Sequence, residues 1–165
     1  MKKIAFAIFL TGLFATAPLC AEESSPSTRF DQLKQLEGTW SNIDGKGLTI
    51  SFKTIANGSA LVETWGSAKG RQTMTIYHMD GGRLLATHYC GQGNQPRLRL
   101  ASPPSQDVMA FEFVDATDLD AEESHQHGFT MEIMGRDALR KTETYVTNGK
   151  AETETITFQR VKDQS

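Results

Sequence analysis

From residue 38 onward the chain is a succession of short runs rich in Thr, Val, Ile, Phe and Tyr, and nearly every run ends in a reversal signal. The pairs Asp44-Gly45, Asn57-Gly58, Asp80-Gly81 and Asn148-Gly149 place residues that tolerate positive φ where a tight turn demands them. Strands are expected at 39–43, 47–54, 59–66, 71–79, 83–90, 96–101, 107–114, 128–135, 138–147 and 151–161. Strands joined by tight reversals pair antiparallel with their sequence neighbours. An open meander leaves unpaired edges that recruit other chains, and closing it removes them. The expected fold is therefore all-β, an up-and-down antiparallel β-barrel of about ten strands. One short N-terminal helix precedes it at Arg29–Glu37, with Thr28 as N-cap, Phe30, Leu33 and Leu36 on one face and Gly38 as the stop.

Residues 1–21 read as a secretory signal peptide: Lys2 and Lys3, an apolar run from Ile4 through Leu10 to Ala15, then mostly small residues up to Ala21. That run is shorter than the ~20 residues a permanent membrane anchor needs, so the expected destination is periplasmic or secreted, with no stable membrane anchor. A rival reading makes Cys20 a lipid-bearing first residue, but Leu19 stands where such signals carry a small side chain. The segment 22–28 reads as a flexible leader and 29–165 as the barrel domain.

Cleavage after Ala21 leaves 15 basic against 20 acidic side chains, a net charge of −5. A chain so charged has no basic field with which to attract nucleic acid. It also leaves Cys90 alone, so no internal disulfide staples the fold and the core must hold it.

Within this pattern Gly38-Thr39-Trp40 stands at the start of the first strand, directly after the helix, and Arg160 stands in the last strand. A helix leading into Gly-x-Trp, a meander, and a late arginine together resemble the lipocalin and fatty-acid-binding (calycin) superfamily. The resemblance implies a structural set of Gly38, Trp40 and Arg160, in which the tryptophan plugs one end of the barrel and the arginine packs across it. It also implies a small ligand held inside.

The late strands alternate cleanly. Met109, Phe111 and Phe113, then Phe129, Met131 and Ile133, then Ile156 and Phe158 with Arg160, form the faces expected to look inward. The middle hairpins sort into two faces. One holds Met74, Ile76, His78, Leu85, Thr87, Tyr89, Leu98 and Leu100; the other holds Thr73, Thr75, Tyr77, His88, Cys90, Arg97 and Arg99. By hydrophobicity the first face is the interior, with His78 and Tyr89 as polar handles. In the other register Tyr77, His88, Arg97 and Arg99 form a cationic cluster suited to a carboxylate, or else simply a solvated outer face. The expected ligand contacts are accordingly Trp65, His78, Tyr89, Phe111, Phe113 and Met131, with His88, Arg97 and Arg99 for the second register.

Other chemistries are thinner. His88 and Cys90 share a strand face but lack further metal ligands, and no nucleophile motif surrounds Cys90. The acidic stretch from Asp115 to His127, with His125 and His127, lacks the turn glycine of a calcium loop and reads as a solvated loop, a possible lid. The leading expectation is an exported, non-enzymatic protein that holds a small hydrophobic or amphipathic molecule and needs no cofactor. The alternatives are a heme barrel using His78 or His88, or an enzyme acting on a small anionic substrate through His88, Tyr77, Arg97 and Arg99. A protein-binding module acting through the outer face of a filled barrel is a third.

Overall fold

The computed structural model describes residues 25–70, 72–101, 105 and 107–162; the segment 1–21 read as a signal peptide and residues 22–24 of the expected leader lie outside the described residues. Helix α1 (Pro26–Lys34) is followed by β1 (Gly38–Asn42), β2 (Leu48–Ile55), β3 (Ala60–Ser67), β4 (Gln72–Asp80), β5 (Arg83–Tyr89), β6 (Gln95–Leu100), β7 (Val108–Thr117), β8 (His125–Ile133), β9 (Ala138–Thr147) and β10 (Lys150–Arg160). Each strand pairs with its sequence neighbours and β1 closes on β10, giving a closed up-and-down antiparallel barrel of ten strands.

The turns are made as their chemistry requires. Asn148 and Gly149 take φ of 52° and 72° between the paired residues Thr147 and Lys150. Between β4 and β5 it is Gly81 and Gly82 that reverse the chain, with Asp80 paired to Arg83. Both are two-residue reversals with positive φ at each central position, the handedness that matches strand twist.

One end of the barrel is closed by α1, which packs against β4, β5 and β2. The helix begins earlier than expected. Ser25, not Thr28, is its N-cap, and Pro26 occupies the first turn, where a missing N–H is harmless. The supposed leader therefore contributes its last residues to the fold. Phe30, Leu33 and Leu36 are buried on the barrel core. Trp40 is fully buried and donates from Nε1 to Leu36 O at 2.8 Å. The Arg160 guanidinium lies 4.1 Å over its ring and donates to the carbonyls of Glu37 (2.7 Å), Gln35 (3.0 Å) and Arg136 (3.0 Å). Gly38 makes this possible: its φ is 122°, and a Cβ there would stand 3.2 Å from the Arg160 guanidinium.

Met109, Phe111, Phe129, Met131, Ile156 and Phe158 are buried on the inner faces, and Ile133 packs against them. Phe111 stacks on Phe129 at 4.7 Å. The loop between β7 and β8 is shorter than expected, because both strands run on into it. Asp115 lies in β7 opposite Arg97, and His125–His127 belong to β8.

The middle hairpins correct the sequence reading in both registers. Thr75, Tyr77 and His88 are buried, so β4 and β5 turn inward the face that hydrophobicity had assigned to solvent. His78 follows Tyr77 on the outer side, and Tyr89 is 43% exposed. Arg97 and Arg99 nevertheless point outward, because β6 pairs Thr87 with Arg97 and Leu85 with Arg99, which puts Leu98 inside beside Ala86. The reversal from Cys90 to Asn94 shifts β6 by one residue from the assumed pairing, and a one-residue slip exchanges every inner and outer side chain.

Candidate functional site

The strands β3, β4, β5, β8 and β9 carry a charged network into the middle of the barrel. Along β3 the inner positions are Leu61, Glu63 and Trp65, and along β9 they are Leu139, Lys141, Glu143 and Tyr145. Apolar residues at the head of each series fix the parity and carry charged residues inward with them. Lys141 and Glu63 have side chains of 0% exposure and form a direct ion pair. The Glu63 carboxylate also accepts from Tyr77 OH and from Trp65 Nε1 (2.5 Å). Lys141 Nζ lies 3.2 Å from Glu143 Oε1, 4.7 Å from the Phe129 ring centroid and 5.0 Å from that of Trp65. Gln126 donates from Nε2 to Glu143 Oε1 at 2.9 Å.

His88 forms a second arm. Its Nδ1 is 3.0 Å from Thr75 Oγ1 and its Nε2 is 3.4 Å from Tyr145 OH. Burial, aided by the nearby Lys141 charge and opposed by Glu63, lowers its pKa to about 4, so the ring is neutral at pH 7. Burial also disfavours the charge on Lys141, but Glu63 and Glu143 outweigh it and hold the ammonium's pKa above its ordinary value. Burial, reinforced by Glu63, pushes Tyr77 well up and keeps it a donor. Glu143 is pushed up chiefly by burial, and Tyr145 by burial and the Glu143 charge.

The network lies below the end of the barrel opposite α1. Two hollows open at that mouth. One, of about 430 Å³, is lined by Lys46, Leu48, Trp65 and Thr73 among others; the second, of about 450 Å³, by Gln72, Thr73, Gly91, Gln92 and Tyr145. Thr73 lines both, so they adjoin, and both are within the size range of small-molecule sites. Another hollow of about 420 Å³ lies at the closed end, lined by Arg136 and Arg160 among others, and Arg160 is already committed to the carbonyls of the plug.

Of the residues expected to touch a ligand, Trp65 lines the mouth, while Phe111 and Met131 are packed in the core. Phe113 is half-buried and stacks on His127 at 4.9 Å, beside His125 at 5.0 Å. His88 and Tyr77 are inside but fully engaged. His78 and Tyr89 are on the outer wall. Arg97 and Arg99 are exposed in ion pairs with Asp115 and Glu112. The cationic cluster for an anionic substrate is therefore not assembled. Heme does not fit the proposed ligands either, since both nitrogens of buried His88 are engaged and His78 faces away from the interior. Among the described residues no group of three or more His, Cys, Asp or Glu side chains is placed to hold a metal.

Sequence reasoning missed Glu63, Lys141, Glu143, Gln126 and Tyr145. The available signal was parity: Lys141 and Glu143 alternate with Leu139, and Glu63 alternates with Leu61. No protein-family model matches the chain, and no curated protein sequence matches it.

Proposed function

We propose that this chain is an exported binding protein whose barrel holds a small apolar or amphipathic molecule at its mouth, between Trp65 and Tyr145. The observation that carries the reading is the pair of adjoining hollows above a polar floor built from side chains of five strands. Apolar walls with a few convergent polar groups are the usual make-up of a small-molecule site. The barrel centre is occupied by Tyr77, Phe111, Phe129 and the Glu63–Lys141 pair, so the ligand belongs above these residues and not among them. The signal-like segment 1–21 supports export.

The role is that of a carrier or sensor. Lys141 is no nucleophile in this setting, because its two carboxylate neighbours hold it protonated. The test is to purify the processed protein from its native compartment, denature it, and analyse released small molecules by mass spectrometry. A compound at stoichiometric level that is lost from a Trp65→Ala variant supports the reading. Equal recovery from wild type and variant counts against the mouth as its seat.

A further inference from the structure

We propose that the ligand is recognised through a protonated amine, received by Glu143 and Gln126 at the floor of the mouth; this rests on the binding reading above. Glu143 uses only one of its oxygens. Its Oε1 accepts from Lys141 Nζ and Gln126 Nε2, while Oε2 has no hydrogen-bond partner among the described residues. The Glu143 side chain keeps 14% exposure where Lys141 and Glu63 keep none, and on β9 it stands one inner position below Tyr145, which lines the mouth.

Gln126 supplies an independent observation. The residue is 0% exposed and its Oε1 has no partner. Its orientation is dictated by chemistry, because an amide oxygen turned toward the Glu143 carboxylate would set two acceptors against each other. The orphaned atom is therefore an acceptor, and a buried acceptor left unpaired costs about 1–3 kcal/mol.

Both open positions thus demand a donor. Of the network's own donors, Lys141 is engaged with two carboxylates, Tyr77 and Trp65 with Glu63, and the Tyr145 hydroxyl with His88 Nε2. A carboxylate ligand at this floor would face the Glu143 carboxylate and the unpaired Gln126 Oε1. The arginines of β6, Arg97 and Arg99, are on the outer wall. An ammonium, by contrast, has three donors and no acceptor, enough for Glu143 Oε2 and Gln126 Oε1 together. The aromatic faces of Trp65 and Tyr145 at the mouth suit the same charge and the apolar body behind it. On the far side of the mouth stand Lys46, paired with Glu154 at 2.9 Å, and Lys69, so the amine enters from the Tyr145 side.

The experiment titrates the processed protein at pH 7 with three near-isosteric probes, 2-phenylethylamine, 2-phenylethanol and phenylacetate, by calorimetry. The amine is expected to bind roughly tenfold or more tightly than the alcohol, the worth of one charge-assisted hydrogen bond, with the acid weakest. Glu143→Gln should abolish that preference, and Gln126→Leu, which retains every ion pair, should reduce it. Equal affinity for amine and alcohol, preference for the acid, or an amine preference that survives Glu143→Gln overturns the amine assignment while leaving a binding barrel in place. No binding of any probe at millimolar concentration overturns both.

Discussion

The Lys141 ammonium is bonded to the Glu63 carboxylate where neither side chain has any solvent exposure. The two residues are 78 positions apart in the chain, and the link ties β3 to β9 across the barrel interior. Such a pair balances a large desolvation cost against an interaction strengthened by the same lack of water.

Removing one partner should therefore be far worse than removing both. Lys141→Met leaves Glu63 buried with only neutral donors, and is expected to cost about 3–5 kcal/mol in urea unfolding. The double variant Glu63→Gln/Lys141→Met keeps an acceptor for Tyr77 and Trp65, and should recover about half of that loss. Additive losses in the double variant would contradict the account.

At the closed end, Arg160→Ala removes three hydrogen bonds to carbonyls and the contact with Trp40. A loss of about 2–3 kcal/mol is expected. Arg160→Lys should recover only part of it, since a single ammonium cannot reproduce the planar fork. Thermal unfolding followed by circular dichroism measures both.

His88 predicts a pH dependence of definite sign. Its pKa falls from an ordinary 6.5 to about 4 in the fold, so between these values the unfolded chain binds a proton that the folded one refuses. Stability contributed by keeping the ring neutral is complete above pH 6.5 and is lost as pH falls toward 4, by about 3 kcal/mol in all. Glu143, pushed up by burial, works in the opposite sense. The comparison is therefore made with His88→Gln, in which Glu143 is retained. The wild type should lose stability faster than the variant on acidification through this window, and parallel curves would refute it.

Arg97 and Arg99 should be dispensable. Each pairs with an exposed carboxylate on the outer wall, and such pairs contribute about 0–1 kcal/mol. Arg97→Ala and Arg99→Ala should leave unfolding midpoints nearly unchanged and ligand affinity unaltered. A large loss of affinity in either would place the binding surface elsewhere.

The strand count and most boundaries were legible in the sequence because turn residues are local signals: Asn148-Gly149 needs no knowledge of the rest of the chain to reverse it. The plug was legible because Gly38, Trp40 and Arg160 stand at the two strands that close the barrel. The site was harder. Which face of β4 and β5 turns inward depends on pairing across the whole closed sheet, and there hydrophobicity misleads, since Thr75, Tyr77 and His88 are inside while Ile76 and Leu85 are on the outer wall. Polar residues win those inner positions because partners meet them inside the barrel, Glu63 on the adjoining β3 for Tyr77 and Tyr145 on the distant β9 for His88. No short window along the sequence shows the second of these partners. The β6 slip belongs to the same class, because one residue in the Cys90–Asn94 reversal decides where Arg97 points.

The chain has two tryptophans, Trp40 in the plug and Trp65 at the mouth, and their indole N–H resonances report the two ends of the barrel separately. The decisive measurement is a heteronuclear NMR titration of the processed protein with small aromatic amines, alcohols and acids, with the indole signals assigned through Trp65→Phe. The account predicts that at least one compound shifts the Trp65 indole signal in a saturable way while Trp40 stays fixed. If no compound moves Trp65, or if binding moves Trp40 instead, the mouth is not a ligand site.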